Sequence, residues 1–109
     1  MDVQLKRGVL DCCVLAVLNR GDSYGYQIVK DLSAVIGISE STLYPILKRL
    51  ETGGFLTVYA VEHNSRLRKY YKITPQGKQR CEDFLLEFQE ITTVYDFIRE
   101  EMGKEDVKA

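Results

Sequence analysis

The chain has 109 residues, three cysteines, no tryptophan and a formal net charge of −1. Its length suits one domain, or one domain with an extended arm, and buries only about two-thirds of the unfolded surface, so a partner subunit would help. An odd cysteine count in no common zinc spacing, and no run near the roughly 18 apolar residues of a membrane span, exclude a disulfide-stapled scaffold, a zinc module and a membrane-spanning segment; the expected setting is reducing and cytoplasmic.

The near-neutral total hides two opposed fields. Lys48 to Arg80 holds eight Lys and Arg against two Glu, a net +6; Glu82 to Ala109 holds three against nine acidic residues, a net −6. The basic stretch can face a polyanion while the acidic one faces water.

A first helix is predicted over about Val3 to Asn19. Leu5, Val9, Cys13, Ala16 and Val17 repeat at helical spacing, and Leu10, Val14 and Leu18 widen the stripe, which implies contact on more than one side. Cys12 and Cys13 lie in this run, as buried small hydrophobes or as a thiol sensor. Asn19 to Ser23 breaks the helix, with Gly21 able to supply a positive φ and Asp22 or Ser23 able to cap the next helix. That second helix is expected over about Tyr24 to Val35, with Tyr24, Ile28 and Leu32 inward. Gly25 costs about 1 kcal/mol in a helix. It either permits a close approach of helices or of a phosphate, or merely frays a first turn.

After Gly37-Ile38-Ser39, a third helix begins between Ser39 and Thr42 and ends near Thr52. Leu43, Ile46, Leu47 and Leu50 make its core face. Pro45 lacks an amide hydrogen and suits a first turn, which puts the start close to Thr42. Gly53-Gly54 ends the helix. Phe55 to Glu62 and Arg66 to Ile73 read as a β-hairpin around a turn at Glu62-His63-Asn64-Ser65. In its second strand Arg66, Arg68, Tyr70 and Lys72 point one way; Lys69 lies on the otherwise apolar side. Thr74 as N-cap and Pro75 at the first position start a last helix running to about Met102. Cys81, Phe84, Phe88, Ile91, Tyr95, Ile98 and Met102 are spaced as a heptad seam. A helix of about 28 residues extends about 40 Å and cannot bury that seam on so small a body. Dimerisation through this helix is the expectation, with a fold-back onto the first helix as the alternative.

The fold class is therefore mainly α with a small β-hairpin: a winged helix-turn-helix over residues 1–74, then a long C-terminal dimerisation helix and short tail over 75–109. The outer face of the third helix offers Ser41, Thr42, Tyr44, Pro45, Lys48 and Arg49 to a DNA major groove. For Tyr44 the plain alternative is half-buried packing, and for Lys48 and Arg49 an ordinary solvated face. The hairpin adds Arg66, Arg68 and Lys69, since arginine fits phosphate in a forked geometry.

Three runs carry a family resemblance, in order and over most of residues 5–88: Leu18-Asn19-Arg20-Gly21 with Tyr24-Gly25-Tyr26-Gln27-Ile28, Thr42 to Glu51, and Arg68-Lys69-Tyr70-Tyr71-Lys72-Ile73-Thr74-Pro75-Gln76-Gly77. The chain resembles the PadR-like family of bacterial winged-helix transcriptional regulators, in the small subfamily with one C-terminal helix. The resemblance implies a homodimeric repressor that binds double-stranded DNA at a palindromic operator and is released by a small aromatic or cationic effector. It implies phosphate contacts for Tyr24 and Tyr26. Ser41 stands where many relatives carry Gly, and the wing loop His63-Asn64-Ser65-Arg66 lacks the usual glycine. In drug-binding relatives an aromatic residue on the last helix lines a pore between subunits; the matching position is Phe88, which otherwise packs in the seam.

No catalytic, metal or cofactor residues are expected. His63, the only histidine, sits on an exposed turn with no cysteine near it in sequence, and no phosphate-cradling glycine loop is present. The rival is a winged helix whose former DNA-reading face meets a protein instead. A positive patch split by Glu51 or Glu62 would favour it.

Overall fold

The computed structural model describes residues 2–103; the short tail expected over 104–109 lies outside them. The order is α1 (Val3–Arg20), α2 (Gly25–Leu32), α3 (Glu40–Thr52), β1 (Leu56–His63), β2 (Arg66–Ile73) and α4 (Pro75–Met102). This is the expected winged helix-turn-helix with a long last helix. None of these helices is long and apolar enough to cross a membrane.

Three helices close one core. Val14, Leu15 and Leu18 of α1, Ile28 and Leu32 of α2, and Leu43, Ile46, Leu47 and Leu50 of α3 are buried, with Leu56 and Tyr71 of the hairpin against them. Each such side chain contributes about 1.5–3 kcal/mol by leaving water. The face of α1 differs from the periodic reading. Leu10, Val14, Leu15 and Leu18 face inward with Val17 of the predicted stripe, whereas Leu5 and Ala16 are exposed and Val9 and Cys13 half-buried. The core lies on the stripe that widens the first one, and the Leu5 row is left on the flank.

The Asp2 carboxylate caps α1, accepting from the amides of Gln4 and Leu5. Gly21 is extended, so its backbone needs no glycine. Neither Asp22 nor Ser23 caps α2: the N-cap is Tyr24, without a side-chain bond. Ser23 instead exchanges two backbone bonds with Tyr71 and adds a one-residue bridge to the sheet. α2 stops at Leu32, short of the expected Val35, because residues 33–35 form a turn. α3 starts at Glu40, since Ser39 Oγ accepts from the Thr42 amide. Pro45 therefore sits in the second turn rather than the first. The missing bond falls on the carbonyl of Ser41, an exposed residue that water can serve.

The hairpin pairs in register from Leu56 with Ile73 to His63 with Arg66. That leaves a two-residue turn in which Asn64 and Ser65 both take positive φ, 51° and 62°. This is the turn that matches strand twist, made without glycine. At the other end Thr74 caps α4: Gly77 N–H donates to its oxygen, and its hydroxyl donates to the Gly54 carbonyl. Gly77 is required there, because a Cβ would clash with the Phe55 carbonyl oxygen. From this junction α4 runs outward, and the molecule measures 63 × 25 × 22 Å.

Candidate nucleic-acid interface

The N-terminal end of α2, the face of α3 and the hairpin enclose an open groove of about 870 Å³. Tyr24, Tyr26, Tyr44, Arg66, Arg68 and Lys69 line it together. These six side chains come from three separate stretches of sequence, all singled out as contacts for DNA. Ser41 and Thr42 do not line it; they lie at the exposed start of α3, where their hydroxyls are 2.9 Å and 3.1 Å from Ser39 Oγ.

The hairpin wall is stiffened by stacked rings. The Arg68 guanidinium lies 4.0 Å over the Tyr24 ring. Tyr70 meets Tyr24 edge-on at 5.5 Å and stacks on Tyr59 at 5.7 Å. The Tyr59 hydroxyl donates to the Asp22 carboxylate at 2.6 Å, and that bond raises the tyrosine's pKa. The wing is thereby fastened to the α1–α2 link. Arg68 holds a fixed position on the wall, its charge over a π face, while Arg66 and Lys69 remain exposed.

On the helix wall, Tyr44 fits the gap left by Gly25. A Cβ at Gly25 would sit 2.6 Å from the Tyr44 hydroxyl, so this glycine permits a close approach of side chain to helix. Tyr44 is 46% exposed, packed on one edge and open on the other. Its hydroxyl donates to Glu40 at 3.3 Å. Burial first, and then Glu40, raise its pKa, so it stays a neutral donor.

Lys48 is exposed, with its ammonium 3.8 Å from Glu51. Such a surface pair is weak and separable. Arg49 does not join the outer face. Its guanidinium turns inward and donates to the carboxylate of Asp11, which is 1% exposed. Arg80 of α4 donates to the other oxygen of Asp11 at 3.2 Å and lies 4.7 Å over the Phe55 ring. A buried carboxylate needs such partners, and two forked donors from α3 and α4 supply them. The sequence reading missed Asp11. Its signal is one acid inside the run Val9-Leu10-Asp11-Cys12-Cys13-Val14-Leu15. The positive surface is therefore a cluster at the groove, with Lys48 beside an acid and Arg49 withdrawn.

The seam divides along its length. Cys81 and Phe84 are partly buried against α1, with the Phe84 ring over Gly8. From Phe88 outward, Phe88, Ile91, Tyr95, Ile98 and Met102 are 45–62% exposed, and the Phe84 and Phe88 rings tilt together at 5.9 Å. A cavity of about 700 Å³ between α1 and α4 is lined by Leu5, Gly8, Cys12, Phe55, Arg80 and Phe84, but not by Phe88.

The sequence profile of the transcriptional regulator PadR-like family matches residues 14–83. The negative transcriptional regulator PadR of Bacillus subtilis is 33% identical over 88 residues, covering 76% of this chain and 48% of that protein. The chain thus spans about half the length of that relative. Among solved structures, a transcriptional regulator from Clostridium thermocellum superposes with a TM-score of 0.78 at 33% identity, over 88% of this chain and 95% of that one. Bacillus subtilis PadR in complex with operator DNA superposes with a TM-score of 0.67 at 30% identity, over 71% of this chain and 46% of that one.

Proposed function

The chain belongs to the PadR-like family of transcriptional regulators and is not an enzyme; from that premise we propose that it is a cytoplasmic repressor, binding a palindromic DNA operator as a homodimer. The observation that carries this reading is the groove where Tyr24, Tyr26, Tyr44, Arg66, Arg68 and Lys69 converge beside the open start of α3. In this reading residues 1–74 hold the DNA and residues 75–109 join two copies.

The division of labour follows from chemistry. Tyr24, Tyr26, Arg66, Arg68 and Lys69 contact phosphates and set position and affinity, whatever the sequence. Ser41, Thr42, Tyr44 and Lys48 approach base edges in the major groove and set preference. Arg49 is removed from the contact set and holds α3 in place through Asp11. Pairing through α4 is supported by the half-exposed seam from Phe88 to Met102. The radius of gyration is 17.2 Å, against about 13 Å for a compact chain of this length. The half-exposed Leu5 row of α1 extends the surface available to the second copy. Release by a small aromatic or cationic effector near Phe88 belongs to the same proposal. Calorimetry with planar cations checks that part, and uniform silence assigns Phe88 to packing alone.

Fluorescence anisotropy against DNA from immediately upstream of the protein's own gene tests the whole. It is run with random competitor at two salt concentrations. Saturation at two subunits per site that survives competitor is expected. Binding that fades equally for every sequence as salt rises would overturn it. Lys48→Ala should shift sequence preference; equal losses on operator and random DNA would remove Lys48 from the reading set.

One observation favours a second reading. The Lys48–Glu51 pair and the withdrawal of Arg49 break the positive surface along α3, as a face that meets another protein would allow. A null result in the anisotropy experiment turns the search to that partner.

A further inference from the structure

Where α1 and α4 pack, their contacts form successive rungs. Asp11 accepts from Arg80, and Phe84 lies over Gly8. Beside the first of these, the Cys81 thiol donates to the Cys12 carbonyl, with sulfur and oxygen 3.8 Å apart. Gly8 and Cys12 are one turn apart on α1, and such small residues let helix backbones approach closely. A disulfide between helices needs that, since its Cα atoms stand about 4.4–6.8 Å apart. Cys12 is buried and Cys81 partly exposed, and each borders a cavity. The cavity of about 700 Å³ opens on Cys12, and a cleft of about 260 Å³ lined by Ala16, Asn19, Ile73 and Leu85 opens on Cys81.

We propose that Cys12 and Cys81 are a peroxide-oxidised dithiol that closes to a disulfide within one chain and clamps α1 to α4.

The two sulfurs differ in a way that orders the steps. The neighbouring Cys12 thiol lowers the Cys81 pKa, with the Arg80 guanidinium acting in the same direction and burial opposing. Cys12 is pushed up by the Cys81 thiol and by burial. Cys13 is raised by burial. Cys81 is thus the thiolate that attacks. Its sulfur takes one oxygen of hydrogen peroxide, the O–O bond breaks, and hydroxide leaves and is protonated to water. Cys12 sulfur then attacks the resulting sulfenic acid. The S–O bond breaks, and hydroxide leaves with the Cys12 proton as a second water. Two thiols are oxidised, one peroxide is reduced, and an external thiol reverses the bond.

Hydrogen peroxide is added to the full-length protein, followed by intact mass, non-reducing electrophoresis and peptide mapping. The expected product has lost two hydrogens, runs as a single chain and is restored by dithiothreitol. Cys12 and Cys13 are neighbours, so the bond is located with C13S, which should still form it, and with C12S, which should not. C81S should also lose it. If C81S fails to fold, the wild-type map still decides. Oxygen addition without a bond, a Cys81 bond between two chains, or a bond kept by C12S and lost by C13S would each overturn the proposal.

Discussion

The two ends of this molecule are incomplete in opposite ways. At the groove, the core behind the surface is closed and the surplus is polar: tyrosine hydroxyls, guanidinium groups and an ammonium around an open space. Along the outer half of α4 the surplus is apolar, with Phe88, Ile91, Tyr95, Ile98 and Met102 at half exposure. A polar surplus is matched by a charged, hydrogen-bonding ligand; an apolar one is matched by another apolar helix. One chain thus presents two kinds of demand, on separate elements of the fold.

The sharpest way to break this contrast is to charge the apolar end. Ile91→Asp with Ile98→Asp places two carboxylates in the seam. Association should weaken by about 4 kcal/mol, on the order of a thousandfold in Kd. Sedimentation checks it, and an unchanged assembly would mean that another surface joins the copies. Next in size is the link between the ends. Asp11→Ala leaves Arg49 and Arg80 facing no carboxylate. Losing one partner of a buried pair costs about 3–5 kcal/mol, and the partial exposure of both arginines puts the expectation near the lower figure. Urea unfolding reads it directly. At the polar end, Arg68→Ala should weaken binding to operator and random DNA alike, by about tenfold, and lower the salt slope by about 1. A loss confined to the operator would make Arg68 a base reader. The smallest effect belongs to the wing tip. Ser65→Gly relieves a left-handed serine and should stabilise the fold by about 0.5 kcal/mol in thermal melts, without moving the groove.

How much the sequence foretold depends on the range of the forces. The core face of α3, the Thr74-Pro75 start and the extent of α4 depend on neighbours within a few residues, and they stand where spacing put them. What it missed is long-range. Ser23 joins Tyr71 across 48 residues of chain, and no local pattern marks a one-residue bridge. Arg49 sits at the border of the polar and apolar faces of α3, and its direction is chosen by Asp11 on another helix. The first helix misled for a related reason. Apolar residues run nearly all round it, so periodicity offers two stripes, and only packing against α2 and α3 selects the Leu10 row. At the candidate site the residue types were legible and their convergence was not. That depends on the hairpin folding back to α2 with Tyr59 held by Asp22.

The joint at Thr74 has no slack. Its hydroxyl grips the Gly54 carbonyl, its amide donates to the Phe55 carbonyl, and Gly77 is pressed against that same oxygen. These contacts fix the direction in which the long arm leaves the body at residues 74 and 75. In a pair joined through these arms, their crossing angle acts as the setting of a caliper. Over an arm of about 40 Å, about ten degrees at the crossing moves each jaw by about 7 Å, roughly two base-pair steps. Small molecules or chemical changes lodged between the arms would then be felt as a change in the distance the two jaws can span.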